Sequence, residues 1–451
     1  MFKRDISSDL KKWSLKPNRK PLVLRGARQV GKTTVVNLFG KEFDNYISVN
    51  MEDKTISSLF ENFHNVSDLL VDLFIYKGLQ RKEGRTLLFI DEIQNSPKAV
   101  ASLRYFYEEI PHIFVIAAGS LLESLVDVHL SFPVGRVEYM AIHPFSFREY
   151  LEAIGDGLLK DRISNSPITS IPFHDKLIHS FNRYALIGGM PEVVKTFIEN
   201  QDILSLTDVY ESLIQGYKDD VEKYASNKTQ TNVIRHILSS GWGMAGNTIT
   251  FNRFAGSEYK SREMGEAFRT LEKAMLLELV YPITQTTIPL LPDKNRYPKL
   301  IWLDSGLVNY AANIQKEVFG SKDILDAWRG CLAEQIVAQE LLTLSNKVSS
   351  KRSYWVRSKT NSTAEVDFIF QYNQKLVPIE VKTGHNAHLR SLHLFIDQNN
   401  SPTIAIRIWS EPFSVDEIKT PNGKHFKLIN IPFYLVGFIP NILNQEISAS
   451  Y

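Results

Sequence analysis

Gly26-Ala27-Arg28-Gln29-Val30-Gly31-Lys32-Thr33 satisfies the spacing G-x-x-x-x-G-K-[ST] in full. It also stands in the setting that this spacing requires. An apolar run at residues 22–24 precedes it as a strand, and residues 34–39 follow it as a helix. The glycines let the backbone turn so that its N–H groups surround phosphates, and the helix N-terminus adds positive potential. Gly26, Ala27, Arg28, Gln29, Val30, Gly31, Lys32, Thr33 and Thr34 are therefore the expected nucleotide-binding residues. Lys32 is expected to neutralise the β- and γ-phosphates of ATP, and the Thr33 hydroxyl to ligate Mg²⁺.

Downstream, Thr86-Leu87-Leu88-Phe89-Ile90 is an interior strand that ends in Asp91 and Glu92. In an open parallel sheet, ligands bind beyond the carboxyl ends of the strands. Asp91 is placed to hold Mg²⁺, and Glu92 to accept a proton from the water attacking the γ-phosphate. Strand-like runs at residues 21–26, 46–51, 86–92, 114–120 and 137–144 alternate with helical patterns. Such alternation predicts an α/β fold with a parallel sheet between helices. The fourth run ends at Ser120, which serves either the γ-phosphate or the N-cap of the next helix. Arg136, beside Gly135, reads either as an arginine finger reaching a neighbouring subunit or as a surface arginine at a turn.

Taken in order, Gly26–Thr33, Ile90-Asp91-Glu92-Ile93-Gln94, Ala118-Gly119-Ser120-Leu121-Leu122, Gly135-Arg136 and His143-Pro144-Phe145-Ser146-Phe147-Arg148-Glu149 resemble prokaryotic AAA-type ATPases that carry an uncharacterised C-terminal domain. Gly188-Gly189-Met190-Pro191-Glu192 is similar to that family's signature in the helical lid. The resemblance implies ATP hydrolysis, Ser120 as a sensor and Arg136 as the finger. Together with the pattern of predicted helices and strands, it divides the chain into a P-loop core (residues 1–150), a helical lid (151–208), a winged-helix-like middle (209–320) and a restriction-endonuclease-like end (321–451).

In the middle region, Ser261 opens a helix running to about residue 276. Strands at 277–283 and 300–303 follow it as a hairpin. Arg262, Arg269 and Lys273 lie on that helix, where a winged helix meets DNA; a packing module joining the ATPase to the C-terminal domain gives the same pattern. The last region opens with a helix over 330–342, read as amphipathic. Strands are expected at 353–357, 365–371, 375–382 and 403–409, with a helix over 388–397.

Within it, Asp367, Glu380 and Lys382 fall on consecutive strands in the order D…E-x-K. This resembles restriction-endonuclease-like nucleases. Residues two apart on a strand share a face, so Glu380 and Lys382 project together. Asp367 and Glu380 are expected to bind Mg²⁺, with Glu334 completing the shell and Lys382 positioning water or stabilising transition-state charge. Lys351, Arg352, Arg357 and Lys359 are candidate phosphate contacts. An ordinary surface Glu–Lys pair gives the same short pattern.

The remaining composition narrows the function. Net charge is only +2 and the apolar fraction is 43 %. The one cysteine, Cys331, excludes a disulfide within the chain and suits a reducing cytoplasm. No membrane-length apolar run and no secretory signal occur. Two readings result. One is an ATPase that acts on DNA through the winged helix and the nuclease-like end; Arg136, if it is a finger, would require a homo-oligomer. The other is a nucleotide-switched interaction protein whose nuclease-like domain is inactive and only docks.

Overall fold

The computed structural model describes residues 2–119, 133, 135–314, 331–358, 364–382, 389–399 and 404–448. Contacts divide the chain into two compact units. The first is Met1–Pro144 with Lys273–Leu276 and Asn346–Ser349; the second holds Phe145–Glu272, Leu277–Ser345 and Ser350–Tyr451.

The first unit is built on a parallel sheet of β1 (Leu22–Arg25), β2 (Asn45–Asn50), β3 (Thr86–Asp91), β4 (Phe114–Gly119) and β5 (Glu138–Ala141), in the order β2-β3-β4-β1-β5. All six residues of β3 and of β4 are buried, as the continuous apolar runs require of strands covered on both faces. Helices Lys54–Asn62, Val66–Tyr76 and Pro97–Glu109 pack Ile56, Phe60, Leu69, Leu73 and Leu103 against one face of the sheet. Each of the three opens on a side-chain cap, from Asp53, Asn65 and Ser96.

In the second unit, the helix Lys228–Ser240 is followed by the helix Ser261–Lys273 and the antiparallel pair β6 (Leu277–Val280) and β8 (Lys299–Trp302). Thr248 adds a bridge to Lys299. Strand β7 (Pro282–Ile283) runs beside β9 (Tyr354–Val356), which pairs with β10 (Glu365–Val366). A five-stranded mixed sheet follows the order β11 (Phe368–Tyr372), β12 (Lys375–Val381), β13 (Ile404–Trp409), β15 (His425–Pro432), β14 (Ser414–Lys419). The helix Arg390–Gln398 joins parallel neighbours β12 and β13. Asp367 is the single residue between β10 and β11, where the chain leaves one sheet for the next.

The helix Cys331–Thr343 departs from the expected amphipathic form: residues 335–341 are all buried. Its buried polar side chains grip backbone. Gln335 accepts from Trp302 N (2.9 Å) and donates to Trp302 O (2.8 Å), and Gln339 accepts from Ser305 N (2.8 Å). Glu340 accepts from Phe147 N at 3.0 Å and lies 2.7 Å from the Tyr184 hydroxyl. These bonds tie together the stretches read separately as lid, middle and end, which is why contacts gather them into one unit.

Gly188-Gly189 belongs to the same network. Gly188 has φ 74°, ending the helix His174–Ile187, and Gly189 N donates to Asp304 Oδ2 at 2.6 Å. A Cβ at Gly189 would lie 2.2 Å from the Phe145 carbonyl oxygen. The signature is thus a packing joint.

Burial pushes the Glu340 carboxyl up to about 7, against its hydrogen bonds from Tyr184 and Phe147 and the charge of Arg148, while Glu149 adds repulsion. An acid whose folded value is raised binds its proton more tightly in the native state. Its stabilisation is complete below the unfolded value and is lost as pH climbs through about 7. Glu340→Gln keeps both acceptor roles and should flatten the loss of stability between about pH 5 and pH 8 by about 2–3 kcal/mol. Urea midpoints across that range check this; equal slopes in variant and wild type would refute it.

Candidate functional site

The phosphate-binding loop lies at the carboxyl end of β1, between it and the helix Lys32–Gly40. Gly31 has φ 95° and Gln29 φ 65°, so the loop curls through left-handed backbone at two positions. A Cβ at Gly26 would meet the Ile142 carbonyl oxygen at 2.5 Å, which restricts this position to glycine.

Lys32 is 7 % exposed, and its Nζ donates to the carbonyls of Gly26 (3.0 Å) and Ala27 (2.8 Å). Burial pulls its ammonium down to about 8, against Glu92 and Asp91, which raise it. The site is therefore short of negative charge near Lys32, and a bound phosphate would supply it.

Thr33 Oγ1 donates to Asp91 Oδ2 at 2.6 Å. A hydroxyl and a carboxylate at this separation are hard oxygen donors of the kind Mg²⁺ takes, so the residues fit that ion. Asp91 itself is raised by burial, only partly offset by the Thr33 hydrogen bond.

Glu92 follows in left-handed backbone (φ 49°), and Gln94 Nε2 holds its Oε2 at 2.5 Å. Gln94 thereby fixes the carboxylate expected to act as base. Arg4, near the start of the chain, is buried and donates to Val30 O (2.9 Å) and His143 O (2.6 Å). It braces the loop from behind, a contact spanning 26 and 139 residues of sequence.

Ser120 lies outside the described residues. Arg136 is exposed, and its Nε pairs with Glu108 at 3.1 Å. It precedes β5, whose Glu138 is in register with Leu22 at the start of parallel β1. Arg136 therefore stands at the amino end of the strands, opposite the carboxyl end that carries its own phosphate-binding loop, and cannot serve that loop.

In the second unit the four expected acids and bases do converge, around a residue the sequence did not flag. Glu334, Glu365 and Asp367 each present a carboxylate oxygen within 4.8 Å of the others. Lys299, 3 % exposed, reaches Glu334 Oε2 at 2.6 Å and also pairs with Glu365. Asp367 Oδ2 accepts from Val381 N at 2.7 Å. Glu380 and Lys382 project together as alternation requires and pair at 2.7 Å.

Burial pushes Glu380 up to about 7, with Asp367 adding to the effect. Burial opposes the charged form of Lys299, but Glu334, Glu365 and Asp367 outweigh it and keep the ammonium protonated.

Other expected contacts are reassigned. Arg352 is locked to buried Glu278, accepting no role at a phosphate, because Glu278 would otherwise be an unpaired buried charge. Lys351 pairs with Glu272 at 2.9 Å, and Lys359 lies outside the described residues. Arg262 and Arg269 are exposed on the helix Ser261–Lys273, and Arg262 pairs with Glu266 at 3.2 Å. Among the described residues, no helix is long and apolar enough to cross a membrane.

Residues 18–151 match the family model described as an AAA domain. Residues 178–318 and 329–434 match two models described as domains of unknown function (DUF8612 and DUF4143). No curated protein matches the chain. Among solved structures, the chain is similar to the Walker-type ATPase Paby2304 of Pyrococcus abyssi (16 % identity, TM-score 0.41, 69 % of this chain and 96 % of that one). It is also similar to the Aeropyrum pernix ORC1 protein in complex with DNA (12 % identity, TM-score 0.25, 69 % and 90 %). A third, PCH-2 of C. elegans, gives 11 % identity and TM-score 0.28 over 43 % and 61 %. The sheet order, the loop geometry and the matched model together make the N-terminal region a P-loop domain of the AAA type.

Proposed function

We propose that the chain binds ATP with Mg²⁺ at its N-terminal site and hydrolyses it, using the energy to drive a conformational change. The observation that carries this is the assembly of Lys32, Thr33, Asp91 and Glu92 at the carboxyl ends of β1 and β3. Thr33 and Asp91 would hold Mg²⁺, which would supply charge to offset that of the phosphates. Lys32 leaves the two loop carbonyls for the β- and γ-phosphates, and Glu92, steadied by Gln94, takes a proton from the attacking water. Arg136 serves the site of a neighbouring copy in a homo-oligomer. Lys32→Ala should abolish nucleotide binding, measured by calorimetry with ATP and Mg²⁺; undiminished binding or turnover would sink the assignment.

The work is directed at DNA. The exposed Arg262 and Arg269 support contact through the helix Ser261–Lys273, and the convergence of Asp367, Glu380 and Lys382 supports a restriction-endonuclease-like C-terminal domain. Affinity for duplex DNA should fall steeply with salt, as phosphate contacts require. A second reading, in which that domain docks without cutting, is favoured by one observation: an internal ammonium already lies among its acids. The single cysteine suits action in the cytoplasm.

A further inference from the structure

We propose that Lys299 is a built-in counter-cation that fills the position a divalent ion would take among Glu334, Glu365 and Asp367, closing this centre to metal while β8 stays in place. The inference rests on the restriction-endonuclease-like reading of the C-terminal domain.

The three acids offer oxygens within 4.8 Å of one another, a spacing that one oxygen-coordinated ion spans. Lys299 Nζ already sits against two of them, at 2.6 Å from Glu334 and paired with Glu365. Its ammonium also lies 4.8 Å from the centre of the Tyr354 ring. The backbone fixes it there. Lys299 is in register with Val280 on β6 and bridges Thr248. It is therefore no surface lysine that a metal could brush aside. A divalent ion brought to the same oxygens meets the repulsion of the ammonium in a weakly screened interior, which lowers its affinity there.

The centre is nonetheless built for more positive charge than it has. Glu380 is 4 % exposed, and its Oε2 has no hydrogen-bond partner among the described residues. This unpaired oxygen is a further ligand for an ion that enters once the Lys299 ammonium is gone.

The plug and the acids belong to different regions. Lys299 lies in the stretch matched over residues 178–318, and Glu334, Glu365 and Asp367 in the stretch matched over 329–434.

The test is Mn²⁺ uptake by the full-length, nucleotide-free protein, followed by loss of the free-ion EPR signal. Wild type should take up no Mn²⁺ that Asp367→Ala removes. Lys299→Gln, and Lys299→Met as a second variant that keeps the length of the stem, should gain one Mn²⁺ with affinity at least about tenfold tighter than wild type. Adding Asp367→Ala to either should abolish the gain, and Lys299→Arg should not show it. Asp367-dependent Mn²⁺ in wild type, or no gain in a variant with native circular dichroism, would overturn the proposal. Cleavage of DNA is scored separately. Mn²⁺-loaded Lys299→Gln that fails to cut would defeat the nuclease reading and leave the counter-cation standing.

Discussion

Glu92→Gln is expected to leave ATP binding within a few-fold of wild type and to lower turnover by about 10²–10⁴, the usual contribution of a positioned general base. Both halves follow from the geometry. The phosphate-binding groups, Lys32 and the loop amides, are untouched, and Thr33 and Asp91 keep their 2.6 Å contact. Gln also fits where Glu stood, since Gln94 can turn its amide to bond it. What is lost is the ability to accept a proton. Single-turnover hydrolysis alongside calorimetric binding separates the two effects. If turnover falls only in proportion to binding, Glu92 is a structural acid, and the left-handed backbone at φ 49° needs another explanation.

Arg136→Ala should cost still more, about 10³–10⁵ in turnover, if its guanidinium stabilises charge on a transferring phosphoryl group. The sheet geometry sharpens the prediction. Arg136 lies beyond the amino end of β5, whereas the phosphate loop follows the carboxyl end of β1, and the two strands run parallel. Any contribution must therefore pass between copies. Arg136→Ala mixed with Lys32→Ala should recover activity that neither has alone, because one supplies an intact loop and the other an intact finger. No recovery in mixtures, with wild-type turnover in Arg136→Ala itself, would return Arg136 to the surface pair with Glu108. That pair is half-exposed and worth little on its own.

The N-terminal site was legible because its chemistry demands particular residues at particular strand ends. All five strands of its sheet fall within three residues of the expected limits at each end. The D…E-x-K face was legible for the same reason: alternation alone puts Glu380 beside Lys382.

Lys299 was not legible. It opens a short apolar strand, 35 residues before Glu334, and nothing local distinguishes it from a lysine at a solvated strand end. Glu365 was hidden by alternation, since a charged residue at the start of β10 reads as the wet face of a strand. Gln335, Gln339 and Glu340 misled in the opposite direction. Polar residues four and five apart suggest an exposed helix stripe, but these are buried because the backbone of Trp302, Ser305 and Phe147 comes to meet them. Arg4 shows the same limit: its partners are chosen by tertiary packing, which local pattern does not encode. The hairpin of β14 and β15 went unread, its first strand being short and mostly polar at the edge of the sheet.

The pairing of Lys299 with acids from beyond Cys331 bears on how such a chain is inherited. A recombination event falling between Ala311 and Cys331 would join this β8 to a foreign C-terminal region. The hybrid would hold a charged amine in an apolar interior with nothing to neutralise it, at a cost of several kcal/mol. The reciprocal hybrid would crowd three carboxylates together without their ammonium. Shuffling at that junction would thus carry a penalty in charge alone, which couples two stretches that are matched as separate modules.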